Sequence, residues 1–219
     1  MEDKLMTVPD KPKIYHIVHL DRLQSIVNDG YLFADSIMTN RNNIGSVIGL
    51  PRIKQRRLTQ RSLNRTWPDL FVGECVPFYF CPRSIMLYVI NCKDNPDLPY
   101  QNGQEAILHL QADLLTVIQW AKRNNKRWAF TDCNASSFYA IDYNDLKDLN
   151  KLNWDAISSR YWFNQKDAKQ AEFLIEKDFP FNLFEQVGVY SKCYLDEVNK
   201  IINTSTYTPT IKIQPQWYY

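Results

Sequence analysis

The sequence predicts an α+β fold in a single domain. Short β-forming runs and amphipathic helical stretches follow one another without the regular β-α-β-α alternation of a doubly wound sheet. No internal repeat, low-complexity tract or linker divides the 219 residues, a length that suits one domain with a long insertion rather than two full domains. With 45% hydrophobic and 14% aromatic residues against 23% charged, the chain has the material for a sizeable core and is expected to fold alone.

The elements follow in chain order. Residues 14–19, IYHIVH, form a β-branched run carrying two histidines, and Leu20, Leu23, Ile26 and Val27 then share one helical face, with Asp21 as its cap and Gly30 as its end. Residues 36–51, rich in Asn, Ser and Gly, read as a loop closed by Pro51, and 52–66 resume a helical pattern. VPFYF at 76–80 is a dense β run stopped by Pro82, after which RSIMLYVIN makes a short helix burying Met86, Leu87 and Ile90. EAILHL (105–110) is a strand, ADLLTVIQWAKR a helix and RWAFTD (127–132) another strand. About 40 residues of polar and aromatic connection follow, with helical stretches at 144–150 and 153–159, long for a purely structural link. AEFLIEKD (171–178) and EQVGVYS (185–191) are strands, CYLDEVNKIIN (193–203) is an amphipathic helix, and TIKIQPQWYY closes the chain.

Charge is unevenly spread. Between Asp35 and Asp69 there is no acid, while Arg41, Arg52, Lys54, Arg56, Arg57, Arg61 and Arg65 fall there, so a basic segment sits on a mildly acidic body. Such a segment attracts phosphate by charge density, although an ordinary solvated helix face has the same pattern. The five cysteines are odd in number and never spaced CxxC, which supports neither a disulfide framework nor a zinc ribbon. No stretch has the length and apolarity of a membrane span, and no apolar run follows the charged start, so a cytoplasmic protein is expected. GxGxxG, Walker A, HExxH and GxSxG are all missing, which removes the common routes to dinucleotide oxidation, NTP hydrolysis, zinc proteolysis and serine hydrolysis.

Five features remain for chemistry: His16 and His19 in a strand, the Arg56-Arg57 pair, Tyr79 and Arg83 in PFYFCPRS, the long connection before 171, and Glu172. The first four also suit ordinary structural roles. Glu172 suits one least, because it opens a mostly apolar strand, AEFLI, where a carboxylate is costly to bury without a partner. From the residues alone the chain is a polyanion-binding α+β domain, either an enzyme or a catalytically silent nucleic-acid-binding module.

Taken in order, IYHIVHLDRLQSIVNDGYL, the RR pair, VPFYFCPRSIMLY, GQEAILHL, FTD, KQAEFLIEKDFP and the closing QPQWYY resemble the DarT family of DNA ADP-ribosyltransferases, the toxins of DarT/DarG toxin-antitoxin pairs. The resemblance spans nearly the whole chain, with two departures: VGEC before VPFYF where an HDY-like string is expected, and CNAS after FTD where a histidine is common. It implies one ADP-ribosyltransferase domain over 1–219, similar to poly(ADP-ribose) polymerases, with a central split antiparallel sheet and peripheral helices. A basic loop and helix insertion would occupy 36–66 and a substrate-side loop region 133–170. NAD is the implied co-substrate, with no metal.

By the same resemblance His16, with Ile17 beside it, holds NAD hydroxyl and amide groups, and Tyr79 or Phe80 packs against the nicotinamide. Glu172 is then the catalytic acid and Arg57 the catalytic arginine, with Arg56 next to NAD and next in register. The implied substrate is thymidine in single-stranded DNA, its backbone followed by Arg52, Lys54, Arg61 and Arg65 and its bases stacked on Tyr161 and Trp162. RNA or protein is the alternative acceptor. The implied partner is a macrodomain antitoxin like DarG, and the chain itself is expected to be a monomer.

Overall fold

Alternation of apolar residues makes β1 (Lys13–His19) a two-faced strand, with Ile14 and Val18 in one core and Ile17 in another. The structure, a computed structural model, describes residues 7–41 and 45–219; residues 42–44 of the expected 36–51 loop and 1–6 of the charged start lie outside the described residues. A 3-10 turn (Leu20–Arg22) leads into α1 (Leu23–Asp29), which Gly30 closes at φ 71°. Asp21 does not cap that helix. Its carboxylate accepts from the backbone N–H and hydroxyl of Ser46, the latter at 2.7 Å, and so ties the 45–50 loop to the body.

β2 (Tyr31–Phe33), α2 (Asp35–Met38) and α3 (Pro51–Thr59) follow. α3 is shorter than the expected 52–66, because 62–71 form a small hairpin of β3 (Ser62–Leu63) and β4 (Trp67–Phe71). The turn of that hairpin is held from a distance: the Asp142 carboxylate gathers the N–H groups of Arg65 and Thr66 and the Thr66 hydroxyl. Next come β5 (Cys75–Tyr79), α4 (Ile85–Cys92), β6 (Ile107–Asp113), α5 (Leu114–Arg123) and β7 (Trp128–Thr131). α4 buries Leu87 and Ile90 as expected but leaves Met86 half-buried. The long connection carries β8 (Asp142–Tyr143), a 3-10 turn (Leu146–Lys151), α6 (Trp154–Ser158) and α7 (Lys166–Lys169). The chain ends with β9 (Glu172–Glu176), β10 (Asp178–Pro180), β11 (Phe184–Val189), α8 (Lys192–Ile202) and β12 (Thr210–Ile213).

Eight strands form one sheet in the order β12-β11-β6-β1-β5-β9-β7-β8, antiparallel except for the β11–β12 pair. β1 pairs with β6 along all seven of its residues, and β5 with β9 along five, yet β1 meets β5 only at Tyr15↔Tyr79. The sheet is therefore two four-stranded halves joined at a single bridge. Pro77 explains the parting. Its carbonyl points toward β1, and in an antiparallel strand the N–H of the same residue would point the same way, so proline leaves that side without a ladder donor.

The main core lies on one face of the sheet under α1, α5 and α8, with Phe78, Phe179 and Phe184 at its centre, ring centroids 4.7 and 4.8 Å apart. Each such buried side chain contributes about 1.5–3 kcal/mol. Leu174, Ala129 and Leu70 form a smaller core, and α4 packs Leu87 and Ile90 with Ile17 and Tyr218 in a third. The alternation along β9, Phe173 and Ile175 one way and Leu174 the other, fixes the face on which Glu172 emerges.

Candidate active site

Tyr15, Tyr79, Glu172 and Thr131 stand side by side on four adjacent strands, β1, β5, β9 and β7. Glu172, the first residue of β9, is 1% exposed. One of its carboxylate oxygens accepts from Arg57 Nη2 in a short ion pair, and the other accepts from the Ala135 N–H at 3.0 Å. Burial works against the Arg57 charge, and the adjoining Glu172 carboxylate more than offsets it, holding the guanidinium charged above its ordinary range. Tyr79 faces this pair, and burial first, then the Glu172 charge, push its phenol up, so it stays protonated.

Arg57 reaches Glu172 because α3 seats closely on the turn at 72–74. A Cβ on Gly73 would lie 2.8 Å from the Leu58 Cα, so only glycine admits the helix backbone this near. On the other side, the turn after β7 folds over Glu172. Asn134 accepts from the Ser136 N–H and hydroxyl and donates to Gln170 at 3.3 Å, and Arg56 Nη2 donates to the Ser136 hydroxyl at 3.3 Å. Two consecutive arginines thus serve two different partners, Arg57 the carboxylate and Arg56 the loop that covers it.

Across the split, His16 Nδ1 lies 2.8 Å from the Pro77 carbonyl. A carbonyl only accepts, so Nδ1 carries the proton, and burial pulls the ring's pKa down to about 4, which keeps it neutral with Nε2 as a free acceptor. The imidazole stands where a ladder bond between β1 and β5 would otherwise form. Ile17 is 7% exposed and packs with the α4 core on the Tyr79 side. Phe80 points the other way, against Trp154 at 5.4 Å and Phe130 at 6.3 Å, so Tyr79 is the aromatic of the pair that faces Glu172.

The basic segment is less free than its composition implies. Lys54 pairs with Asp35 at 2.8 Å and Arg41 with Asp29 at 2.5 Å. Arg61 is 6% exposed and lies 5.1 Å over the Phe138 ring, and Arg65 lies 5.1 Å over Tyr143. Arg52 is exposed and lines a cavity of about 620 Å³ with Arg56, Asn95 and Phe138. Tyr161 is 89% exposed, but Trp162 is buried, stacked on Phe163 at 4.9 Å. The exposed aromatic beside Tyr161 is therefore Phe163, a residue the sequence reading passed over in the run Tyr-Trp-Phe. The Ala135 N–H was also missed, and a backbone donor leaves no mark in a sequence.

The groups fit a dinucleotide. Among the described residues Arg22 Nε and Arg56 Nε find no hydrogen-bond partner although buried, one near His16 and one beside Arg57, and a ligand rich in phosphate and hydroxyl oxygens satisfies such donors. Among the described residues no group of three or more His, Cys, Asp or Glu side chains is placed to hold a metal ion, and no helix is long and apolar enough to cross a membrane.

An antiparallel sheet parted between two central strands, with a neutral histidine on one lip and a tyrosine and an arginine-paired glutamate on the other, is the ADP-ribosyltransferase arrangement. Comparison with known proteins makes the class specific. Residues 15–219 match the family model described as DarT, ssDNA thymidine ADP-ribosyltransferase. A DNA ADP-ribosyl transferase of Thermus sp. (strain 2.9) is 35% identical over 218 residues, covering 97% of this chain and 99% of the relative. The solved structure of Thermus sp. 2.9 DarT in complex with ADP-ribosylated ssDNA superposes with a TM-score of 0.87 at 34% identity, covering 98% of this chain and 99% of that one. The same protein in complex with NAD+ gives 0.77 at 34% identity, covering 97% and 100%. The chain belongs to the DarT family.

Proposed function

We propose that this chain transfers ADP-ribose from NAD to thymidine bases of single-stranded DNA, with Glu172 and Arg57 as the catalytic pair, and that it acts as the toxin of a toxin-antitoxin system whose partner is a macrodomain antitoxin. The observation that carries the reading is the buried Arg57–Glu172 pair on the lip of the split, beside Tyr79 and opposite a neutral His16. Family membership over residues 15–219 supports it independently.

The reaction breaks the bond between nicotinamide and C1 of its ribose through an oxocarbenium-like state. Glu172 accepts a hydrogen bond from the ribose 2-hydroxyl and stabilises the positive charge that develops on the ring, an electrostatic effect preorganised by burial. A carboxylate has about four acceptor sites, so the Arg57 and Ala135 contacts hold its orientation while it takes a third donor. His16 Nε2 accepts from an NAD hydroxyl, and the protonated Tyr79 lies against the nicotinamide. Thymine N3 is a poor nucleophile while protonated, so it loses its proton to solvent and its lone pair forms the new bond to C1 as nicotinamide leaves with the electron pair of the old one. Arg57, held charged, stabilises the N3 anion and is not a base. Pairing in a duplex hides N3, which favours an unpaired base.

The test is mass spectrometry of thymidine-containing oligonucleotides after incubation with NAD. One ADP-ribose on single-stranded thymidine, with matching nicotinamide release and little reaction on duplex, is the expected result. Nicotinamide release that no thymidine oligonucleotide accelerates would overturn the assignment of the acceptor.

A further inference from the structure

Most cations of the basic segment are engaged by carboxylates or aromatic rings inside the molecule, and a second group of cations gathers elsewhere. A cavity of about 380 Å³ opens where β1 begins and the turn after β5 passes residues 158–160, on the far side of the Tyr15–Tyr79 bridge from the parted strands. Lys11, Lys13, Arg83, Arg160 and Lys169 line it, and among the described residues no acid does. Lys13 pairs with Asp113 and Glu185, and among the described residues no ion pair is seen for the other four.

Two of these cations are fixed without an acidic partner among the described residues. Lys169 is 2% exposed, and its Nζ donates to the carbonyls of Ile157 at 2.6 Å and Ser159 at 2.8 Å, which take two of its three hydrogens and are themselves neutral. Arg83 lies 4.3 Å over the Tyr219 ring, and its buried Nε has no hydrogen-bond partner among the described residues. A buried cation held by neutral carbonyls and an orphaned guanidinium N–H in one cavity are complementary to an anion with several acceptor oxygens. Next to Arg160 the chain exposes Tyr161 at 89% and Phe163 at 73%. Cations that follow a backbone, beside aromatic faces that accept any base, are how single strands are held without sequence preference.

We propose that this cavity is a phosphate subsite for the single-stranded DNA substrate, holding a backbone phosphodiester away from the target thymidine while an adjoining base lies on Tyr161 and Phe163. The inference rests on the proposed DNA substrate. The alternative source of the same chemistry is the diphosphate of NAD.

The test compares wild type with Lys11→Gln/Arg160→Gln, both exposed positions, and with Arg83→Gln, after melting curves establish that each is folded. Oligonucleotide KM in the double variant should rise about tenfold, and the slope of log affinity against log salt should shrink by about 0.7 for each lost contact. KM for NAD should stay at the wild-type value. The gap between wild type and variant should close when the oligonucleotide carries uncharged methylphosphonate linkages. Equal DNA KM and equal salt slope in folded variants would overturn the subsite, and a raised KM for NAD with unchanged DNA KM would assign the cavity to the diphosphate instead. If wild type labels no oligonucleotide, the proposed function fails; wild type that labels DNA and variants that bind it equally well sink the subsite alone.

Discussion

Glu172→Gln separates what the carboxylate does for stability from what it does for the reaction. The amide keeps an oxygen for the Ala135 N–H, now 3.0 Å away, so the shape survives and the charge goes. Arg57, whose side chain is 13% exposed, then keeps a buried charge with no counter-ion. Removing one partner of a buried pair costs about 3–5 kcal/mol, and the small exposure of Arg57 favours the lower figure, about 3 kcal/mol. For a chain of this size that lowers the melting midpoint by about 6–12 °C. Arg57→Met combined with Glu172→Gln removes both charges and should recover most of the loss, a coupling of about 2–3 kcal/mol in a double-mutant cycle. Transfer to a thymidine oligonucleotide should fall by about 10² to 10³ in the single variant and should not return in the double. Calorimetry and single-turnover labelling on the same four proteins give both answers. A Glu172→Gln midpoint within a degree of wild type, or a coupling below about 0.5 kcal/mol, would refute the buried-pair argument, and near wild-type turnover would remove Glu172 from catalysis.

Gly73→Ala should cost about 1–3 kcal/mol and reduce transfer more than it reduces DNA binding, because the added Cβ meets the backbone of Leu58 and pushes α3, with Arg57, away from Glu172; urea titration and labelling check it. His109 is fully buried with Nε2 3.0 Å from the Pro82 carbonyl, and burial pulls its pKa down to about 4. The unfolded ring takes up its proton near 6.5 and the folded one does not until about 4, so stability is full above the unfolded value and declines as pH falls between the two, by at most about 3 kcal/mol. His109→Gln should flatten that acid limb, and an unchanged slope between pH 6.5 and 4 would show that the ring titrates normally when folded. Phe163→Ala should weaken oligonucleotide binding about tenfold while leaving the fold intact, since its ring is 73% exposed; unchanged anisotropy titrations would place the bases elsewhere.

Local patterns in the sequence carried the strands and helices well, because β-branched runs such as IYHIVH and the faces of α5 and α8 depend on their own residues. Glu172 was legible for a related reason, an acid in an apolar strand being conspicuous. Features made by distant partners were not. The hairpin that takes the place of the rest of the expected 52–66 helix is held by Asp142, and the basic segment lost its apparent freedom to Asp29, Asp35, Phe138 and Tyr143. One signal lay in plain view: a proline in the middle of a β run argues against an uninterrupted ladder on one side, and Pro77 stands where the sheet parts.

The Ala135 N–H that holds the Glu172 carboxylate comes from the opening turn of the 133–170 connection, the same segment whose later residues present Tyr161 and Phe163 to solvent. Under the proposed function, support for the carboxylate and the aromatic faces offered to the acceptor come from one stretch of chain. Grafting that stretch from a relative transplants part of the carboxylate's support along with the exposed aromatic faces. A chimera that fails to label DNA would then report a displaced Glu172 rather than a lost DNA contact, and restoring residues 134–136 alone should recover turnover.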